Sequence, residues 1–332
     1  MARLSFLDLV PVVEGGSLGS ALASAADIAA HCDALGYHRY WVAEHHGMPG
    51  IGGAATAVVL AHVGASTTRI RIGSGGIMLP NHAPLQIAEQ FGTLDALYPG
   101  RIDLGLGRAP GSDQRVAAAM RRTLHSDPNA FPRDVMELQA YFAGDPAIGF
   151  TATPGAGADI EMWILGSSTF GAQLAAALGL PFGFASHFAP GLLDQAITIY
   201  REHFRPSQFL SKPRVMAAFN IFAADSDEEA HYIASSMQQG FVALRTGQPG
   251  KVKPPVRDYV ATLSPGIRAM LDDVLSVSSI GTPDRVAKDL DAFLRRTGAD
   301  EIIVTSQIFD HDARKRSIAI AAEAFATLGE VV

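Results

Sequence analysis

At 332 residues, with 48% apolar and 18% charged side chains, the chain can bury a large core, which argues against a disordered or coiled-coil protein. Its net charge of −7, without any basic run, argues against nucleic acid as a partner, because neutralising phosphates takes clustered lysine and arginine. One cysteine, Cys32, offers no internal disulfide and reads as a buried packing residue.

The first apolar stretch, residues 4–13, is interrupted by Asp8 and lacks the charged leader and long apolar segment of a signal peptide. No run approaches the ~20 apolar residues of a membrane span, so a cytoplasmic protein without membrane contact is expected. Within that stretch residues 4–10 read as a strand, followed by a helix over 20–35 that Gly36 stops. A strand at 40–43, a helix at 54–66, a strand at 70–73 and a helix at 85–97 follow, the last ending at Pro99-Gly100. The strand at 102–106 leads into a helical pattern over 112–141, broken near Ser126-Asp127-Pro128, and then a glycine-rich loop or short hairpin at 144–157. Further strands are expected at 162–165, 182–185 and 215–223, with helices at 170–178, 191–204 and 227–244 between and after them. An excursion over about 245–280 carries Pro249, Pro254, Pro255 and Pro265. Thr282-Pro283 then opens a helix through Arg296, Gly298 stops it, and a strand at 301–305 and a helix at 313–328 complete the chain.

Eight strands that alternate with helices imply parallel pairing with right-handed crossovers. The expected fold is an α/β (β/α)₈ TIM barrel, one domain over residues 1–332, with the insertion after strand 7; an open doubly wound sheet is the alternative. In such a barrel the functional face lies where the strands end. There the sequence places Asp8, then Glu44-His45-His46-Gly47, Gly73-Ser74-Gly75-Gly76, Gly105-Leu106-Gly107-Arg108, Gly166-Ser167-Ser168, Ser186-His187 and Thr305-Ser306-Gln307. Glycines allow close backbone approach, hydroxyls donate hydrogen bonds, and an arginine fixes a positive charge, which together suit a phosphate-bearing cofactor.

Each element also has a plainer reading. The segment 105–111 is spaced G-x-G-x-x-x-G and follows the fourth strand, so it is a poor dinucleotide fingerprint. Ser167 and Ser168 serve equally as helix caps, and Arg108 as a surface ion-pair partner. The pair His45-His46 has no histidine or cysteine partner at metal spacing, and adjacent residues point apart, so no metal is expected. One of the two suits a general base, since imidazole titrates near neutrality; His82 and His187 are candidate pocket-lining residues.

Several spaced segments resemble the luciferase-like, flavin-dependent monooxygenase family along nearly the whole chain. They are Tyr40-Trp41-Val42-Ala43-Glu44-His45-His46, Ile72-Gly73-Ser74-Gly75-Gly76 through His82, Ala88-Glu89-Gln90, Leu94-Asp95, Gly100-Arg101, Gly107-Arg108, Ile164-Leu165-Gly166-Ser167-Ser168, Gly179-Leu180-Pro181 and Gly281-Thr282-Pro283. The resemblance implies reduced FMN used with O₂ on a small organic, possibly aldehyde-like, substrate, with the flavin supplied by a separate reductase. It implies Arg108, Ser167 and Ser168 at the FMN phosphate, and Gly75 and Gly76 against the isoalloxazine, where the family often has a non-proline cis peptide. It further implies His45 as the catalytic imidazole, and a homodimer. Gly107 and Ser167 depart from the luciferase α subunit, which has a reactive cysteine and an acidic residue there, so light emission is not expected. Deazaflavin-dependent hydride transfer and non-catalytic flavin binding are the alternative functions.

Overall fold

The computed structural model describes residues 2–109, 114–120 and 130–328. Eight parallel strands close into a barrel: β1 (Arg3–Asp8), β2 (Arg39–Val42), β3 (Arg71–Met78), β4 (Ile102–Gly107), β5 (Glu161–Gly166), β6 (Phe182–Phe184), β7 (Val215–Ala223) and, in chain order after one further strand, β9 (Glu301–Thr305). Neighbours pair in sequence from β1 to β7, β7 pairs with β9, and β9 returns to β1. The further strand, β8 (Ser278–Gly281), lies outside the ring and adds to the distal half of β7 through Asn220 to Ala223.

The helices are α1 (Leu18–Ala34), α2 (Thr56–Gly64), α3 (Pro84–Leu97), α4 (Gln114–Met120), α5 (Ala130–Ala143), α6 (Thr169–Leu178), α7 (Leu193–His203), α8 (Asp227–Arg245), α9 (Pro265–Val274), α10 (Pro283–Thr297) and α11 (His311–Leu328). Local chemistry sets several ends. Ser17 and Ser20 form a capping box at α1, Ser226 caps α8, and Gly179 and Gly298 terminate α6 and α10 in the left-handed conformation that glycine adopts without a Cβ clash.

Alternation along the strands divides the core in two. Outward residues such as Leu4, Phe6, Tyr40, Val42, Leu104 and Val304 pack against the helices. Inward residues Leu7, Trp41, Trp163, Met216, Ala218 and Ile303 fill the barrel.

Three differences from the sequence expectations matter, and one open alternative is decided. Strand β3 runs on through the glycines to Met78, with a register shift between Ser74 and Ile77, so Gly75 and Gly76 lie within the strand rather than past it. Of the loop or short hairpin expected at 144–157, the structure has the loop, with a 3₁₀ turn at Pro146–Ile148. The excursion holds α9 and β8, whose short polar stretch carried no clear strand pattern, and it folds back on the β1 exit, where Glu14 N–H donates to the Val252 carbonyl at 2.7 Å. Asp8 faces the helices and not the barrel mouth, held by Arg314 at 2.7 Å and by the Tyr40 hydroxyl. The helix break expected at Ser126-Asp127-Pro128 lies outside the described residues.

The strand beginnings carry the opposite chemistry. Arg39, fully buried, ion-pairs with Asp103 at 2.7 Å, Glu161 at 2.8 Å and Glu301 at 2.9 Å. Its guanidinium carbon lies 6.0 Å from the Trp41 ring centroid and 5.0 Å from that of Trp163, while Arg71 and Arg214 each pair at 2.6 Å with Asp103 and Glu161 respectively. Three arginines and three carboxylates thus plug the barrel floor, leaving the other end for ligands.

Candidate functional site

Along β3 and β4, from the plug toward the mouth, four closely packed positions are glycine. Gly73, Gly75 and Gly105 occupy positions where a Cβ would meet Trp41 Nε1 at 2.9 Å, Leu7 Cδ1 at 2.6 Å and Leu165 Cδ1 at 2.8 Å. A Cβ on Gly76 would meet the Gly105 carbonyl oxygen at 2.6 Å, and the Gly75–Gly76 peptide is cis. Leu7, Trp41 and Leu165 fill the space where those Cβ atoms would stand, so the glycines of β3 and β4 bring the backbone close to a packed interior.

Next to those glycines, Arg108 leaves the end of β4 exposed and its guanidinium carbon sits 4.0 Å from the Phe170 ring centroid. Phe170 lies in the first turn of α6, so a fixed positive charge is stacked at a helix N-terminus, where the backbone N–H groups and dipole already favour an anion. Ser168 is the N-cap residue of α6 but its side chain makes no capping bond, and Ser167 before it is exposed. The capping alternative is therefore not realised, and the donor set fits a phosphate.

The β2 exit supplies the acid–base groups. Glu44 is buried; its Oε1 accepts from His46 Nε2 at 2.6 Å and from His82 Nε2 at 2.8 Å, and its Oε2 accepts from the Met78 N–H at 3.1 Å. Burial alone would raise this carboxyl, but the hydrogen bond and charge of His82 and the hydrogen bonds from His46 and the Met78 N–H outweigh it and hold the group below the usual carboxylate range. His45, between Glu44 and His46 in the sequence, is partly buried. Burial, with a smaller contribution from charge on His45, pushes His187 down to about 3, so its imidazole stays neutral near physiological pH.

Across from the glycines of β3 and β4, the ends of β6, β7 and β9 leave polar atoms over. His187 Nδ1, Asn220 Oδ1, Thr305 Oγ1 and Ser306 Oγ are buried and have no hydrogen-bond partner among the described residues, although Asn220 Nδ2 donates to the His187 carbonyl at 2.6 Å. Asn220 belongs to no motif and sits inside the strand expected at 215–223. The signal available was its inward parity with Met216 and Ala218. In the sequence Glu44 stands only as part of a motif, and its role in joining two loops was not legible.

With this geometry in place, comparison with known proteins is informative. The family model described as luciferase-like monooxygenase matches residues 3–301. The chain belongs to the luciferase-like monooxygenase family. An Escherichia coli (strain K12) relative named luciferase-like monooxygenase is 52% identical over 318 residues, covering 96% of this chain and 95% of that protein. The N-acetyl-S-alkylcysteine monooxygenase of Bacillus subtilis (strain 168) is 33% identical over 306 residues, covering 87% and 88% of the two chains. Among solved structures, apo-MsnO8 superposes with a TM-score of 0.88 at 33% identity and covers 98% of this chain and 99% of that one. No described helix is long and apolar enough to cross a membrane.

Proposed function

We propose that this luciferase-like monooxygenase uses reduced FMN and O₂ to oxygenate a small organic substrate. The observation that carries the reading is Arg108, stacked 4.0 Å over Phe170 at the uncapped start of α6, beside the glycines of β3 and β4. Arg108, Ser167 and Ser168 would hold the FMN phosphate, and Gly75 and Gly76 would face the ring. Reduced FMN bound there supplies the electrons that activate oxygen.

The chain's own residues do the rest. Gly75 and Gly76, joined by a cis peptide in β3, would let a planar ring approach the backbone, with Leu7, Trp41 and Leu165 closing the barrel interior beneath them to water. His45 is the candidate proton carrier at the mouth. The neutral polar atoms of His187, Asn220 and Thr305 form the opposite wall, where the organic substrate would be oriented. A single catalytic domain, a homodimer, a separate flavin reductase and a cytoplasmic location accompany this reading, on the strength of the family resemblance.

The deciding experiment titrates the purified chain with FMN, reduced FMN and a deazaflavin, beside Arg108→Ala. Charge-assisted phosphate contacts contribute about 1.5–3 kcal/mol, so the variant should bind FMN about 10- to 100-fold more weakly. In His45→Ala, binding should persist while turnover falls by about 10²–10⁴. Tight deazaflavin binding without FMN binding would move the reading to hydride transfer. Unchanged turnover in His45→Ala would remove the imidazole from the chemistry.

A further inference from the structure

We infer that Glu44, His46 and His82 form a binding site for one divalent d-block cation such as Zn²⁺. The sequence offered no metal site, because His45-His46 had no partner at metal spacing. The fold supplies two. Glu44 and His46 alternate along the β2 exit and project together, and the 3₁₀ turn Leu79–Asn81 after β3 brings His82 to the same point. Oε1 of Glu44 and one ring nitrogen each of His46 and His82 lie within 4.8 Å of one another, among the described residues the one such group of three.

Four features make this a ligand set and not only a pair of hydrogen bonds. Two imidazole nitrogens and one carboxylate oxygen match the donors that borderline cations prefer, with positions left for water or another ligand. Both rings direct the same nitrogen, Nε2, at the same oxygen, so a cation can replace the two hydrogen-bonded contacts with little movement of the loops. The carboxylate is already oriented: Oε2 is occupied by the Met78 N–H, which leaves Oε1 as a monodentate ligand, the kind of outer support that metal-binding carboxylates show. The site is also reachable, since the His46 and His82 side chains are 14% and 22% exposed while Glu44 is buried. No step of the proposed oxygenation depends on this cation, and the site stands or falls independently of flavin binding.

The test is a titration of chelator-treated, full-length protein with Co²⁺, followed by its visible d–d absorption, and with Zn²⁺ in competition. The expected result is one Co²⁺ per chain, displaced by Zn²⁺, and at least about tenfold weaker binding in each of Glu44→Gln, His46→Gln and His82→Gln. Because Glu44 is buried, circular dichroism should accompany each variant, and the more exposed His82→Gln is the deciding substitution. Absence of stoichiometric binding in the wild type, or binding unchanged in a folded His82→Gln, overturns the site and leaves the cluster as hydrogen bonds that position the two loops.

Discussion

Glycine at the mouth is a matter of space rather than flexibility. A Cβ on Gly105 would lie 2.3 Å from the Ser74 carbonyl oxygen, a backbone atom that cannot swing aside. Gly105→Ala should therefore part β3 from β4 and cost about 1–3 kcal/mol, measured as a lower urea midpoint at unchanged slope. It should also weaken FMN binding, if the ring lies against the β3 glycines. Thr305 makes the converse case. Its buried hydroxyl has no partner among the described residues, so the isosteric Thr305→Val should leave the ligand-free melting temperature unchanged or raise it. A marked fall in melting temperature would mean that the hydroxyl is satisfied by an internal water. Both residues are ordinary in the sequence, and only their neighbours across the sheet give them these roles.

The strands act as a two-ended device. Their first residues, Arg39, Asp103, Glu161 and Glu301, meet in the ionic plug, and their last residues carry the candidate site. A buried ion pair contributes little net stability when whole, but removing one partner strands the others. Arg39→Ala leaves three carboxylates with only Arg71 and Arg214 at the edges, and should cost about 3–5 kcal/mol in chemical denaturation. Arg39→Met, which keeps an apolar stem beside Trp41 and Trp163, should restore the packing and not the charge balance, so it should recover only part of that loss. The expected barrel came from the strand–helix alternation, which was legible because each element has its own apolar period. The plug was not, because its members are separated by up to 262 residues and each looks like a surface charge at a strand start.

Across the whole molecule, the partly buried His38 and the buried His187 make stability depend on pH. Burial, then the charges of Arg39 and Arg3, bring His38 down to about 4, and burial brings His187 to about 3. Unfolded histidine titrates near about 6.5, so between that value and about 4 the unfolded chain binds protons that the folded chain refuses. Stability should therefore be fully present above that range and decline as the pH falls through it, with a slope approaching two protons. His38→Gln should remove about one proton from that slope in denaturation curves taken across the range, and an unaltered slope would contradict the assignment. Glu161, held near 2 by Arg39 and Arg214 against the effect of burial, adds to the loss at lower pH in the same direction.

By itself the sequence determined the (β/α)₈ order, the position of the insertion, and the strand ends at which His45, Arg108, Ser167 and Ser168 sit, because periodicity and turn residues are local properties of the chain. Tertiary structure alone decided that β3 carries Gly75 and Gly76 within the strand, that β8 extends β7, and that Asp8 turns away to Arg314. It also decided that Ser168 leaves α6 uncapped beside Arg108, and that His82 joins Glu44 and His46 from 38 residues away. These outcomes depend on register and on which face of a strand a side chain takes, and barrel closure fixes both only when all eight strands are in place.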